Sequence, residues 1–177
     1  MSIVLVGSTS GSVTLQEPAV AGTTVLDLPA VSGTVITTGS PQSGSVLQVV
    51  NATFNAPTQV STSSTTPQST VLTVTITPKF ATSKILVMAN TQIFNDSATA
   101  YGYIGIYRNG TTSLGFNGVT YGGSSVNWVP ATNISYDSPA TTSATTYTLY
   151  YKAGAGVFAV FWGAATTSTI TAMEIAG

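Results

Sequence analysis

The chain has 177 residues, carries four Lys and Arg against five Asp and Glu, and contains no His and no Cys. That length supports one domain of ordinary size with an appendage. A net charge of −1 gives neither nucleic acid nor an anionic membrane the dense basic patch it needs, and the missing cysteines exclude disulfides and thiolate metal sites.

Only 5% of the residues are charged, against roughly one quarter in ordinary soluble proteins, and Ser and Thr fill the deficit. Such a surface hydrogen-bonds water without carrying a field and protects weakly against self-association, which suits permanent residence in an assembly. The opening MSIVLVGSTS holds only Ile3 to Val6 as an apolar run, too short for a signal-peptide core or a membrane span. Export by the standard route and membrane insertion are therefore not expected.

Residues 1–40 are built around a doubled unit, LQEPAVAGT from Leu15 to Thr23 and LDLPAVSGT from Leu26 to Thr34. Large apolar side chains are sparse in it, and the cost of ordering the backbone is about 1–2 kcal/mol per residue, so the segment needs neighbours. One short strand and one Pro/Gly turn per unit is the pattern of an intertwined stalk in which three chains close an apolar axis. Val13, Leu15, Leu26, Leu28 and Val35 are the expected contacts of that trimeric stalk. The run TTGSPQSG at 37–44 reads as a linker, which divides the chain into a stalk and attachment segment, 1–40, and a head domain, 41–177.

Strand signals fill the remainder, and helical spacing is absent. Val71–Thr77 is a β-branched run closed by Pro78, and Lys84–Asn90 (KILVMAN) is continuous apolar sequence that predicts a strand buried on both faces. Tyr101–Arg108 runs into Asn109-Gly110, the dipeptide that most readily accepts the positive φ angles of a tight hairpin. Thr145–Lys152 and Val157–Trp162 bracket a glycine-rich AGAG, and Ser168–Ile175 closes the chain. Short strands at this spacing predict an all-β fold, an antiparallel sandwich of jelly-roll type from about residue 45 to the end.

Catalytic chemistry finds little support. Without His there is no imidazole base, no Ser/His/Asp triad and no histidine metal ligand. Nothing in the spacing of Glu17, Asp27, Asp96, Asp137 and Glu174 pairs two carboxylates across a sugar. No enzymatic activity, cofactor or metal is expected, and Asp137, in Asp-Ser-Pro, reads as a turn residue. The Asn-x-Ser/Thr triplets at Asn51, Asn95, Asn109 and Asn133 carry little weight in a chain so rich in Ser and Thr.

The aromatic residues offer two readings. Tyr101, Tyr103 and Tyr107 share one strand face, as do Tyr147 and Tyr151 on another strand, with Tyr150 opposite; core or subunit interface accounts for them. The run FNGVTYGGSSVNW, Phe116 to Trp128, reads as a polar loop, and Tyr121, Asn127 and Trp128 in it are the candidate residues for contact with a neutral glycan.

The segment GSTSGSVTLQEPAVAGTTVLDLPAVSGTV at 7–35 resembles the N-terminal signature of small tailed-bacteriophage virion proteins of the tail-fibre type. SKILVMAN at 83–90, IYRNGTTSLG at 106–115, ISYDSPATTSATTYTLYYKAG at 134–154 and STITAMEIAG at 168–177 resemble the C-terminal β-sandwich of such fibres. The resemblance implies a homotrimer on the virion surface: an intertwined stalk joined to other virion proteins through residues 1–40, and a trimeric head that contacts a host surface glycan. The chain departs from long fibres in having no room for a shaft. A capsid decoration or head-fibre protein remains the alternative, and a carbohydrate-binding module the distant one.

Overall fold

The computed structural model describes residues 3–16, 19–20, 22–23, 25, 30, 32–33, 35–55, 59–95, 99–120, 127–161 and 167–177. Among the described residues the fold is all-β, and the chain divides into two compact units, Met1–Val35 and Ile36–Gly177.

In the first unit β1 (Ile3–Val6) pairs antiparallel with β2 (Ser12–Leu15), Ile3 lying opposite Leu15. The Gly7 N–H donates to the Gly11 carbonyl at 2.9 Å and closes the turn. Val4, Leu5, Val6, Val13 and Leu15 are all exposed, and a lone two-stranded hairpin is marginal in water. Beyond Leu15 the described positions of the doubled unit form no strand, where one strand per tier was the expectation. A strand with no second strand beside it leaves its backbone groups unpaired. Val20, Val25 and Val35 are exposed; Leu26 and Leu28 lie outside the described residues.

The second unit is a sandwich of two antiparallel sheets. Its strands are β3 (Val46–Asn55), β4 (Val60–Thr62), β5 (Gln68–Ile76), β6 (Lys84–Asn95), β7 (Tyr101–Arg108), β8 (Thr112–Thr120), β9 (Asn127–Asp137), β10 (Thr145–Ala155), β11 (Phe158–Val160) and β12 (Thr167–Ile175). One sheet has the order β5-β10-β7-β8. In the other, β11 and β12 lie end to end along one edge of β6 and carry β4 and β3 on their far side, while β9 lines the opposite edge of β6.

Eight of these ten strands, β5-β10-β7-β8 and β3-β12-β6-β9, make a jelly roll, and the register shows how the chain makes it. The pairs β7·β8, β6·β9, β5·β10 and β3·β12 are nested one outside the other, each centred on Gly110–Thr111. The domain is thus one long antiparallel hairpin, folded over into two layers. Its tip is the Asn109-Gly110 turn: both residues have positive φ, 50° and 70°, and the Thr111 N–H donates to the Arg108 carbonyl at 3.2 Å. Only glycine accepts such a φ without steric cost, and Asn tolerates it better than most residues. The Asn109 side chain also accepts from the Thr146 N–H at 2.9 Å, which ties the tip to β10.

Between the sheets lie Leu72, Val74, Ile76, Ile85, Val87, Ile93, Ile104, Ile106, Leu149, Ile170 and the rings of Tyr147, Phe158 and Phe161. The sequence VLTVTI puts Leu72, Val74 and Ile76 inward and Val71, Thr73 and Thr75 outward, the period-2 alternation of a half-buried strand. β6 corrects the expectation of burial on both faces: its pattern alternates, with Ile85, Val87 and Ala89 in the core and Leu86 and Met88 on the outer face only partly covered. Within this unit no further layer of described residues lies over that outer face, so an apolar run that reads as doubly buried is buried once.

Candidate functional site

The chemistry-bearing residues sort onto three surfaces: the sandwich interior and the two outer sheet faces. The interior holds both described carboxylates. Asp137, at the end of β9, takes two bonds from the Arg108 guanidinium, at 2.9 and 3.0 Å, and one from the Tyr147 hydroxyl at 2.7 Å. The turn role expected of it is replaced by an ion pair that ties β9 to β7 and β10, because its position on the inward face aims the carboxylate into the sandwich. Glu174 on β12 is fully buried and accepts from the Ser83 hydroxyl at 2.6 Å and from the Lys79 N–H at 2.7 Å. Neither carboxylate is open to a substrate, and among the described residues no group of three acidic, His or Cys side chains gathers to hold a metal.

The Tyr147 hydroxyl has its pKa raised far above the ordinary tyrosine range, first by burial, then by its bond to Asp137 and the Asp137 charge. A folded-state pKa above the unfolded one means that the stability tied to this proton is complete below about pH 10 and is lost as the pH climbs through the folded value. Alkaline unfolding is therefore expected to set in above about pH 10. Tyr147→Phe should flatten that limb while costing about 1.5–3 kcal/mol at neutral pH for the lost hydrogen bond to a charged acceptor. Unfolding free energy measured from pH 7 to pH 11 tests this; parallel pH profiles for the two proteins would refute it.

Two of the sequons are closed by the fold. Asn133 is buried and donates to the Ile104 carbonyl at 3.2 Å, and Asn95 is buried as well.

The outer face of the β6 sheet carries apolar clusters around a polar middle, where Asn90 donates to Thr132 at 3.0 Å and Asn51 to Thr171 at 2.7 Å. β9 runs inside-out: Asn133, Ser135 and Asp137 point inward at 1%, 7% and 7% exposure, while Trp128, Ile134 and Tyr136 point outward at 61%, 60% and 59%. Opposite them on β6 stand Phe94, Met88 and Leu86, followed across the sheet by Met173 on β12 and Val49 on β3. The inward polar groups are satisfied by their own network, Ser135 donating to Asn133 at 3.0 Å and Asp137 bonding Arg108 and Tyr147.

The outer face of the other sheet is aromatic and threonine-rich. Tyr107 stacks on Tyr150 with centroids 4.1 Å apart and meets Phe116 edge-on at 5.9 Å. Lys152 places its ammonium 5.1 Å from the Tyr103 ring centre and 4.9 Å from that of Phe116. Beside them Thr73 and Thr148 share a hydroxyl hydrogen bond at 3.0 Å, as do Thr75 and Thr146 at 2.9 Å. Glycine makes the room: a methyl group at Gly105 would overlap the Phe116 ring, and one at Gly154 would overlap that of Tyr101.

The expected 116–128 loop does not exist as such. Phe116 to Thr120 belong to β8, and Asn127 and Trp128 open β9, because their register is dictated by β7 and β6 rather than by their own weak strand propensity. Phe116 and Trp128 face outward from different sheets, so they do not share a site. Tyr121 lies outside the described residues, and Asn127 sits opposite Asn95 in the ladder. Sequence reading missed the platform around Lys152; its signal is the spacing of YGYIGIY, aromatic rings alternating with glycine and with core residues along β7. Tyr147 and Tyr151 are core, as expected of that pair.

No family model matches the chain, and no curated protein matches it. Among solved structures it is similar to a mutant VP2 protein of infectious bursal disease virus in derived T=1 particles, at 19% identity over 94% of this chain and 43% of that one, with a TM-score of 0.37. It is also similar to the Gx strain of the same virus, at 19% identity, 98% and 46% coverage and TM-score 0.36. The VP2 subviral particle gives 18% identity, 77% and 39% coverage and TM-score 0.35. The chain spans less than half the length of each of these structures, and at these scores the likeness carries no weight for function.

Proposed function

We propose that the chain is a non-enzymatic structural protein of a bacteriophage virion: a short trimeric tail fibre whose jelly roll is the host-binding head and whose residues 1–40 attach it to other virion proteins. The observation that carries the assembly is the inverted polarity of β9. A strand that turns Asn133, Ser135 and Asp137 inward and Trp128, Ile134 and Tyr136 outward is stable in water only if something covers its outer face. Full burial of each such side chain contributes about 1.5–3 kcal/mol, and a cluster of exposed apolar side chains such as Ile134, Tyr136 and Val49 is a usual mark of an interface. Further copies of the same chain are the economical cover, since closed symmetry is the common form of oligomer. The exposed valines and leucines of the first unit call for the same completion, and the phage resemblance of both units gives the assembly its place on a virion.

Sedimentation of the purified chain at micromolar concentration is expected to show a trimer. Ile134→Glu, which puts a charge on the outer face of β9 without touching the core, should yield a folded monomer with unchanged β-sheet circular dichroism. A stable wild-type monomer would remove the assembly reading. Added protein should also block adsorption of the phage to its host; saturable binding to empty capsids in place of such a block would instead make it a decoration protein.

A further inference from the structure

We propose that the outer face of the β5-β10-β7-β8 sheet is a binding site for acidic polysaccharide, with Lys152 as the anion contact and the rings of Tyr103, Phe116 and Tyr150 as the platform for the sugar. The proposal rests on the head being the ligand-contacting part of the protein, and names the site and the ligand class.

The chain has four cationic side chains, and three of them have polar partners in this unit. Arg108 is paired with Asp137, Lys79 donates to the Leu47 carbonyl at 3.0 Å, and Lys84 donates to Ser138 at 2.8 Å. Lys152 differs: among the described residues its contacts are the faces of two rings. Cation–π attraction holds an ammonium in place, but a ring face satisfies its three N–H donors poorly. Among the described residues no carboxylate meets it, so the half-buried ammonium is positioned to donate to an anion.

Its surroundings select the kind of anion. Gly105 stands at the centre of the platform, flanked along β7 by Tyr103 and Tyr107, with Tyr150 opposite on β10 and Phe116 opposite on β8. The absence of a side chain at Gly105 lets the Phe116 ring lie across the strand. Lys152 covers one face of Tyr103 and of Phe116, and Tyr107 one face of Tyr150, so the C–H groups of a pyranose would meet the part of these half-buried rings left exposed, drawn by their negative potential; tyrosine and the neighbouring threonine hydroxyls supply neutral hydrogen-bonding partners. A carboxylate or sulfate carried on a sugar ring matches both halves of the site.

Nucleic acid is a poor match, because its binding draws on many phosphate contacts at once, whereas one cation beside a ring platform suits a single acidic sugar. A second copy of this chain offers this face no described carboxylate, since Asp137 and Glu174 are bonded inside the sandwich; Glu17, Asp27 and Asp96 lie outside the described residues. The opposite sheet face, with Trp128, Ile134 and Tyr136 exposed and Met88 and Met173 beside them, is the better surface for a copy. The two faces of the sandwich are thereby assigned different partners.

The test is calorimetric titration of the full chain with polygalacturonate as the acidic polymer, dextran sulfate as a second anion and dextran as the neutral control. Wild type is expected to bind both acidic polymers at least tenfold more tightly than dextran and to lose most of that preference between 50 and 500 mM salt, as screening demands. Lys152→Met, which keeps the apolar stem, should abolish the preference; Tyr150→Ala should weaken binding to both acidic polymers. Lys84→Met, on the other sheet, should leave it unchanged. Absence of binding to either acidic polymer, equal binding by Lys152→Met, or a smaller sedimenting species for that variant would each overturn the site, the last by making the face a subunit contact. The host-binding reading fails separately. Lys152-dependent binding without a block of adsorption keeps the site and refutes the receptor role, whereas an adsorption block undiminished in Lys152→Met keeps the role and refutes the site.

Discussion

Replacing Glu174 by alanine is expected to lower the unfolding free energy at neutral pH by about 3–5 kcal/mol, the range for removing one partner of a buried charged network. Glu174 occupies an inward position on β12, where the alternation of Ile170 and Ala172 calls for an apolar residue. A carboxylate is tolerated there because four donors converge on it: the Ser83 hydroxyl at 2.6 Å, the Lys79 N–H at 2.7 Å, the Phe80 N–H at 3.4 Å and the Gln48 amide. These bonds fasten the connection between β5 and β6, and the edge strand β3, to the last strand of the chain. Alanine would leave two backbone N–H groups and a buried hydroxyl without an acceptor. Glutamine keeps one acceptor oxygen but aims an amide at another donor, so Glu174→Gln should fall between the two.

The pH dependence of that loss identifies its cause. Burial pushes the Glu174 carboxyl up, but the four donors outweigh it and hold the group below the ordinary carboxylate range. Its contribution is therefore complete above the unfolded pKa, roughly pH 4, and is lost as the pH falls through the folded value. Denaturant unfolding at pH 7 and pH 3 should show the gap between wild type and Glu174→Ala narrowing in acid. A gap of equal size at both values would mean that packing, not hydrogen bonding to the ionised carboxylate, is what the mutation removes.

Most strands and one hairpin turn of the jelly roll were legible in the sequence; its strand order was not. Asn109-Gly110 names the tip of the long hairpin from its turn chemistry alone, and β7 begins and ends where its residue pattern says, at Tyr101 and Arg108. Val71–Thr77, Lys84–Asn90, Thr145–Lys152 and Ser168–Ile175 each fall within or close to a strand, because β-branched and aromatic residues there follow the pleat. β8 and β9 escape such reading. Gly115, Asn117 and Gly118 in β8 carry little strand propensity, and Pro130, Asn133 and Asp137 in β9 argue against a core strand; both are strands because β7 and β6 offer them a ladder. The candidate site was hidden for the same reason. With 116–128 taken as one loop, Phe116 and Trp128 seem to be neighbours, and only the strand order reveals that they face opposite ways. Lys152 looks unremarkable in sequence, since nothing there says which rings will flank it or that no carboxylate among the described residues will.

The second large effect concerns the one inward glycine that a core ring requires. Gly102 on β7 lies beneath the Phe158 side chain of β11, and a methyl group built there would overlap the ring. Phe158 is fully buried, so it cannot swing aside. Gly102→Ala is therefore expected to destabilise the domain by about 3 kcal/mol, the upper end of the usual cost of overpacking, although alanine suits a strand better than glycine does. Phe158→Ala leaves a cavity and should cost about 3–5 kcal/mol. The pair must then be strongly coupled. In the Phe158→Ala background the clash is gone, and Gly102→Ala should cost nothing or restore a few tenths of a kcal/mol by filling part of the void, about 3 kcal/mol of coupling in all. Denaturant unfolding of the wild type, both single variants and the double variant measures this directly. Additivity within about 0.5 kcal/mol would show that the ring does not rest on Gly102, and would remove the steric reason for glycine at this position of β7.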